Sequence, residues 1–195
     1  EGINSEGANT YTHYVRSFLY LSLGMKSDAG PVELKVVMGD KGQIEDTFPN
    51  FETFKKQSEK LYGHLREKSK GVAPEGGTKE VIMSSELAGI LAHEAIGHTT
   101  EADIVLSGSV AGSALGQAVA SPLVSLVDYA HTAFGKQAPM PVLFDDEGTS
   151  AEDTVIIENG ILKSFMNSKE TAQHFEQKAT GHSRAWGFND EPLIR

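Results

Sequence analysis

Two histidines five residues apart, with a glutamate directly after the first, form the stretch of this sequence best suited to chemistry. They are His93, Glu94 and His98. Neutral imidazole nitrogens are good zinc ligands, and a neighbouring carboxylate can take a proton from a water molecule activated by the metal. The three residues therefore predict a hydrolytic metal site, with His93 and His98 as ligands and Glu94 as general base.

The spacing of the two histidines differs from that of a familiar zinc-protease helix, where the second histidine comes four residues after the first. Here that position is Gly97. Residues five apart on a regular α-helix point about 140° away from each other, since each residue turns about 100°. Either a π-bulge brings both histidines onto one face, or the helix ends near Gly97 and His98 returns from the following loop. Gly97 suits both geometries, because it is a weak helix former with a free backbone.

A simpler interpretation is that the two histidines only make local hydrogen bonds at a helix end, as many histidines do. The adjacent Glu94, with Glu101 and Asp103 close behind, favours the metal site. An acidic run could suggest a second metal site, but Asp-rich turns usually accept hydrogen bonds from backbone amides, and we expect that here for Asp145, Asp146 and Glu147. The other histidines have no ligand-like neighbour in the sequence and are predicted to lie at the surface or in packing positions: His13, His64, His131, His174 and His182.

Composition narrows the class of protein. With 195 residues, 39% of them hydrophobic, the chain can form one good-sized domain or two small ones. The net charge of −10 argues against nucleic-acid binding, and no run approaches the ~20 apolar residues of a membrane span. The absence of cysteine excludes a thiolate ligand within these residues. The sequence starts at Glu1 and stops at Arg195 without a finishing element, which suggests a piece of a longer protein, so the lack of a secretory signal carries little weight.

The elements around the site cluster by type rather than alternating, which predicts an α+β fold of mixed, mostly antiparallel sheets with a few helices. A three-stranded meander is predicted over residues 11–48, with the third strand at 43–48, and Asn50 is predicted to cap a helix that follows it. The metal-site helix is predicted to follow a short strand at 79–83 and to begin after Ser84 or Ser85. Further predictions are a mobile loop near the site at 106–116, a strand at 122–129, an Asn159-Gly160 hairpin, and a helix at 168–178.

Taken together, these motifs resemble the TldD/PmbA family of metallopeptidases, historically described as modulators of DNA gyrase. The resemblance starts with His93-Glu94-x-x-x-His98 followed by Glu101 and Asp103. It continues, in the family's order and at similar spacing, over nearly the whole chain: Asn4–Gly7, Asp145–Thr149, Ile157–Leu162, Thr180-Gly181-x-x-Arg184 and Pro192-x-x-Arg195. The chain departs from the family pattern at Asp128–His131 and at His182-Ser183, which leaves the details of substrate binding open.

The resemblance implies a TldD-like, zinc-dependent peptidase that acts on flexible or unfolded peptides in the cytoplasm. It makes His93 and His98 metal ligands and Glu94 the general base, with a third ligand, a cysteine, outside this chain. It divides the sequence into the end of an N-terminal region at 1–78 and a metallopeptidase core at 79–195, truncated before the part that carries the third ligand. We therefore expect weak or absent metal binding and no activity from these residues alone.

The resemblance also implies association with a PmbA-like partner subunit or with a second copy, and no membrane contact. The alternative is a non-catalytic assembly subunit, or a regulatory partner of a PmbA-like protein, inactive as this fragment. The acidic composition does not support a direct effect on DNA topology, because binding to the phosphate backbone needs clustered positive charge. An indirect effect through proteolysis is more compatible with the composition.

Overall fold

A computed structural model of the chain describes residues 1–187 and 189–195. These form two compact units, one made of Glu1–Thr12 with Val81–Arg195 and the other of His13–Glu80. The first twelve residues belong to the same unit as His93 and His98. In that N-terminal segment, β1 (Gly2–Ile3) and β2 (Asn9–Thr10) pair antiparallel.

The unit spanning His13–Glu80 is built on a long β-hairpin. Strands β3 (Arg16–Ser27) and β4 (Gly30–Lys41) pair antiparallel along their full length, as the alternating apolar pattern predicts. The apolar side chains of one face are half-buried and those of the other face are exposed. The half-buried set includes Leu19, Leu21, Leu23, Val32, Leu34 and Val36.

The predicted third strand at residues 43–48 is wrong, because this segment forms the short helix α1 (Ile44–Thr47). A capping box closes its first turn: the Asp46 carboxylate accepts a hydrogen bond from the backbone N–H of Gln43 at 2.9 Å. The meander therefore has two strands rather than three.

Helix α2 (Phe51–Lys68) begins as the sequence predicts. The Asn50 side chain accepts a hydrogen bond from the backbone N–H of Thr53 at 3.2 Å, which satisfies one of the free donors at the helix start. The helix contacts both strands of the hairpin and supplies the two buried side chains of this unit, Leu61 and Leu65.

The segment that leads to the site has no strand. The predicted strand at 79–83 is wrong, since residues 78–84 have no regular secondary structure. Helix α3 (Ser85–Ala92) then begins after Ser84, whose hydroxyl accepts a hydrogen bond from the Leu87 N–H at 3.2 Å. It continues without a break into a π-helix (His93–Gly97) and a 3₁₀ turn (His98–Thr100). Glu101 then has extended backbone, and α4 (Ala102–Leu106) follows it.

The rest of this unit consists of short elements. The predicted mobile loop at 106–116 contains a 3₁₀ turn at Val110–Ser113. The Asn159-Gly160 hairpin is confirmed: both residues have positive φ, 48° and 83°, as a type I′ turn requires. The remaining elements are β5 (Leu126–Asp128), β6 (Thr132–Ala133), β7 (Lys136–Gln137), β8 (Thr154–Glu158), β9 (Ile161–Leu162), α5 (Lys169–His174), β10 (Ser183–Arg184) and β11 (Leu193–Ile194).

The core of this unit lies where α4 meets the sheet of β5, β8 and β9. Its buried members include Ala102, Val105, Ile156, Ile157, Leu162, Phe165, Met166 and Ile194. The sheets formed by the described residues are small and antiparallel, and a few helices pack with them, which confirms the predicted α+β class. Among the described residues, no helix is both long enough and apolar enough to cross a membrane.

Candidate metal centre

His93 and His98 lie on one side of their helix because the helix widens between them. The backbone N–H of His98 donates to the carbonyl of His93, a bond across five residues that defines a π-turn. Of the two geometries that the spacing allows, a π-bulge or a helix end near Gly97, the structure has the π-bulge. The imidazole centroids are 4.5 Å apart, and the ring planes are inclined by 68°.

The π-turn does not depend on a glycine at position 97. Its backbone is ordinary right-handed helix, with φ −50° and ψ −66°. A Cβ at this position would lie 3.6 Å from the carbonyl oxygen of Ala92, a normal van der Waals distance. The special backbone freedom of glycine is therefore not needed for the π-turn.

The structure brings together all three residues predicted for the site. One ligand atom from each of His93, Glu94 and His98 lies within 4.8 Å of the others. Glu94 Oε2 is 3.9 Å from His98 Nε2, and all three residues are exposed to solvent. Imidazole nitrogens are ordinary zinc ligands, so His93 and His98 fit zinc, and the Glu94 carboxylate beside them suits the role of a general base.

A fourth side chain fixes the orientation of His98. Its Nδ1 lies 2.8 Å from Oε1 of Glu101, which is 8% exposed. A carboxylate accepts hydrogen bonds, so this contact places the ring proton on Nδ1 and leaves Nε2 as the free nitrogen. The sequence by itself indicates Glu101 only as a nearby acid. Its position three residues after His98, the spacing of helical neighbours, was the available signal.

Glu101 is held in place by an extended segment on its other side. The Met166 N–H donates to the Thr100 carbonyl at 3.0 Å, and the Ala102 N–H donates to the Met166 carbonyl at 3.0 Å. Ala102 and Met166 are both buried in the core. Backbone hydrogen bonds on both sides of Glu101 thus join the end of the histidine-bearing helix to the hydrophobic core.

The acidic run at Asp145 is a turn, as predicted. Asp145 Oδ1 accepts hydrogen bonds from the N–H groups of Glu147 at 3.1 Å and Thr149 at 2.8 Å, and its Oδ2 accepts one from Ser183 at 3.2 Å. The Asp145 residue is 4% exposed, and these three donors satisfy its carboxylate. It therefore organises backbone rather than holding a metal.

The N-terminal segment, residues 1–12, makes side-chain contacts with the Asp145 turn and the start of α5. The Asn4 side chain donates to the Glu147 carbonyl at 2.9 Å, and Lys169 pairs with the Glu6 carboxylate. The hydrogen bond to Glu6 is the main cause that raises the pKa of the Lys169 ammonium. These contacts explain why residues 1–12 belong to the same unit as the site.

His182 is buried, at 5% exposure, and both of its ring nitrogens have partners. Nε2 is 2.5 Å from Asp128 Oδ2, and Nδ1 is 2.8 Å from Thr180 Oγ1. The sequence offers no signal for the pair, because 54 positions separate His182 from Asp128. Of the other histidines outside the site, His131 is half-buried and His13, His64 and His174 are exposed.

Comparison with known proteins shows the family of the chain. The family model described as "PmbA/TldA metallopeptidase C-terminal domain" matches residues 76–195, well over half of the chain. The chain belongs to this family of metallopeptidases.

Two curated relatives carry names of the same kind. "Metalloprotease MJ0996" of Methanocaldococcus jannaschii is 45% identical over 122 residues, which are 61% of this chain and 26% of that protein. "Zinc metalloprotease TldD homolog" of Saccharolobus solfataricus is 32% identical over 165 residues, 84% of this chain and 36% of that protein. The chain thus spans about a quarter to a third of the length of these relatives.

The overall architecture has a counterpart among solved structures. The crystal structure of TldE from Thermococcus kodakarensis matches 98% of this chain and 41% of its own, with a TM-score of 0.65 and 17% identity. At that identity the likeness supports the fold alone.

Proposed function

We propose that this chain is the metal-holding part of a TldD-type zinc metallopeptidase that hydrolyses flexible or unfolded peptides. The observation that carries the proposal is the π-turn, which places His93, Glu94 and His98 around one point on an exposed face. The zinc metalloprotease name of the Saccharolobus solfataricus relative supports the choice of metal.

In this proposal His93 and His98 hold the ion through imidazole nitrogens, and Glu101 orients His98 by accepting its Nδ1 proton. A bound zinc ion would supply Lewis-acid polarisation of the scissile carbonyl and make an attacking water more acidic. Glu94 accepts the proton of that water and later delivers it to the leaving amine. Its exposed carboxylate, 3.9 Å from His98 Nε2, lies within reach of a water at the site.

Two imidazoles are one ligand fewer than the three protein ligands usual at a catalytic zinc site. We propose that a cysteine outside these 195 residues, which contain none, completes the set. A thiolate is a strong zinc ligand, so its addition would raise the affinity well above that of the two histidines.

The family resemblance further supports a cytoplasmic protein that associates with a PmbA-like subunit or with a second copy. The alternative function, a non-catalytic assembly subunit, would use the same association but no chemistry. The donor set on an exposed face favours the enzyme, because a purely structural surface has no need of a general base beside two imidazoles.

Replacing Glu94 with Gln in the full-length protein separates the two functions. Gln keeps the shape of the side chain but cannot accept a proton, so peptide cleavage should fall by at least about a hundredfold, while zinc content and assembly are unchanged. Cleavage is measured with a quenched fluorescent peptide, zinc by elemental analysis, and assembly by size-exclusion chromatography. Cleavage that survives this change would refute the enzyme proposal.

A further inference from the structure

Two threonine hydroxyls at the end of the histidine-bearing helix bond to the backbone of the π-turn. Thr99 Oγ1 contacts the carbonyl oxygens of Ala95 at 3.2 Å and Ile96 at 2.9 Å. Thr100 Oγ1 contacts the carbonyl oxygens of Ile96 at 2.8 Å and Gly97 at 3.0 Å. A hydroxyl has one proton to donate. For both threonines the shorter contact is with the same acceptor, the carbonyl of Ile96.

The change of winding explains why the Ile96 carbonyl needs these donors. In a continuous α-helix, the backbone N–H of Thr100 would bond to the Ile96 carbonyl, four residues back. A 3₁₀ turn directs backbone N–H groups three residues back instead, and Thr100 is the last residue of the 3₁₀ turn in this helix. The Ile96 carbonyl therefore loses its α-helical donor, and the two hydroxyls take that place, as side chains commonly do at helix ends.

Both threonines are themselves held by neighbouring segments. Thr100 is 2% exposed, and its carbonyl accepts a hydrogen bond from the Met166 N–H at 3.0 Å. The Thr99 carbonyl accepts one from the hydroxyl of Ser109 at 2.7 Å. The hydroxyls that reach Ile96 are therefore donors at fixed positions.

Ile96 is held on its other side by the core. It lies inside the π-turn between His93 and His98, and its half-buried side chain packs against the hydrophobic core. The core thus fixes the side chain of Ile96, and the threonines fix its carbonyl. Since Ile96 is two residues before His98, its backbone orientation helps to set the direction of the second imidazole.

The regular α-helix is the winding that competes with the π-turn. In it, the His98 N–H would bond to the Glu94 carbonyl instead of the His93 carbonyl, and the two histidines would point about 140° apart. A hydroxyl that bonds to a helix carbonyl can bend the helix or interrupt its ladder of backbone bonds. Two hydroxyls on the carbonyl of Ile96 therefore favour the π-turn over the regular helix.

We infer that Thr100, assisted by Thr99, is a positioning residue of the metal centre: its hydroxyl holds the π-turn and so keeps His98 on the same face as His93. Neither threonine is a metal ligand or a general base in this arrangement, and both act through the backbone between the histidines. The inference rests on the proposed zinc site for its consequence, whereas the position of the two rings can be measured without metal.

The first test replaces Thr100 with Val in the full-length protein, which keeps the shape of the side chain and removes its hydroxyl. Zinc affinity, measured by competition with a chromophoric chelator, should fall about tenfold or more, as it does when other groups that orient metal ligands are lost. Thr100→Ser keeps the hydroxyl and should restore most of the affinity. Unchanged affinity in Thr100→Val, or equal losses in the Val and Ser variants, would overturn the inference.

A control separates positioning from general stability. Thr171 is also buried, at 4% exposure, and its hydroxyl accepts a hydrogen bond from the Ser168 N–H at the start of α5. Thr171→Val should lower the midpoint of thermal unfolding and leave zinc affinity unchanged. If it weakens zinc as much as Thr100→Val does, the inference fails. If Thr100→Val does not fold, Thr99→Val decides: a several-fold loss of zinc affinity supports the inference, and unchanged affinity contradicts it.

The second test measures the ring positions in the zinc-free, full-length protein with isotope-labelled histidine. The imidazole centroids of His93 and His98 are 4.5 Å apart, close enough for a nuclear Overhauser effect between the rings. This signal should be present in the unaltered protein and in Thr171→Val, and weak or lost in Thr100→Val. Its persistence at full strength in Thr100→Val would overturn the inference.

The two tests also separate this inference from the proposed function. A protein that binds no zinc, but loses the ring signal in Thr100→Val, would retain the role of the threonine and lose the metallopeptidase. A protein that binds zinc equally well with and without the hydroxyl would retain the metal site and lose the role of the threonine.

Discussion

His98 is oriented by a nearly buried carboxylate: its Nδ1 is 2.8 Å from Oε1 of Glu101. The imidazole is half-exposed, whereas the side chain of Glu101 has 11% of its surface exposed. The carboxylate is therefore a fixed point, and the ring turns its other nitrogen towards His93 and Glu94. Metal-binding histidines commonly depend on such a partner for their tautomer and orientation.

Replacing Glu101 with Gln should weaken zinc binding by the full-length protein about tenfold or more, since the amide is a poorer acceptor and can present its NH₂ to the ring. Affinity is measured by competition with a chromophoric chelator. Asp103→Asn is the control, because the side chain of Asp103 accepts a local bond from the Ile104 N–H, and its replacement should leave the affinity unchanged. Equal zinc affinity in the Glu101 variant and the unaltered protein would refute the orienting role.

The 195-residue chain by itself should bind zinc weakly, because it offers two imidazoles where a catalytic site uses three protein ligands. Elemental analysis after dialysis should find far less than one zinc per chain, and peptide cleavage should be absent. His93→Ala and His98→Ala, made in the full-length protein, should each reduce its zinc content to the same low level. Tight, stoichiometric zinc in the isolated chain would contradict this prediction.

Gly97→Ala should be tolerated. The added Cβ meets only the Ala92 carbonyl at 3.6 Å, and alanine favours helix by about 1 kcal/mol over glycine. Thermal unfolding should give a midpoint equal to or slightly above that of the unaltered protein, with zinc content unchanged. A large loss of zinc would mean that the π-turn does depend on glycine.

Gly181→Ala is the opposite case. Its φ is +74°, and a Cβ would lie 2.5 Å from the Cα of Ala151. Since backbone must move to make room, we expect a destabilisation of about 2 kcal/mol or more. The same thermal measurement should show a midpoint several degrees lower, and an unchanged midpoint would show that the two segments can separate without cost.

Asp145→Asn should also destabilise this unit, by about 2–3 kcal/mol, because an amide nitrogen would face backbone N–H groups that now donate to a carboxylate. Denaturant unfolding measures the effect. Asp146→Asn is the matched control: Asp146 is exposed and its carboxylate accepts from one backbone donor, Ala185, among the described residues, so its loss should cost less. Equal effects of the two changes would argue against the turn as a structural centre.

The helix caps and the hairpin turn were predictable from the sequence, because each depends only on residues that are close together in the chain. The caps at Asn50 and Ser84 and the Asn159-Gly160 turn each depend on residues a few positions apart, and all three form as predicted. The two strand predictions that failed lacked such support. Residues 79–83 have no pairing partner among the described residues, and the capping box from Gln43 to Asp46 outweighed a weak alternation at 43–48.

In the candidate site, too, the residues that the sequence predicts are those close together in the chain. His93, Glu94 and His98 were found because their types and spacing are local, and the spacing itself required either a bulge or a helix end. The sequence indicates Glu101 as a nearby acid, but its hydrogen bond to His98 is seen only in the structure; the i+3 spacing is the local signal for that contact. Outside the site, the buried contact between His182 and Asp128 could not be predicted from the sequence, because the two residues are 54 positions apart and meet only through packing.

The helix that carries the histidines changes its winding twice in succession, from α to π and then to 3₁₀, before α4 begins. The 3₁₀ turn then ends at Glu101, whose backbone is extended, with φ −65° and ψ 123°, and α4 starts directly after it. Glu101 is fixed on both sides: its carboxylate meets His98, and its neighbours Thr100 and Ala102 bond to the backbone of Met166. It follows that the number of residues between His98 and Ala102 cannot change, because one residue added or removed would move Glu101 away from His98 or away from the Met166 segment.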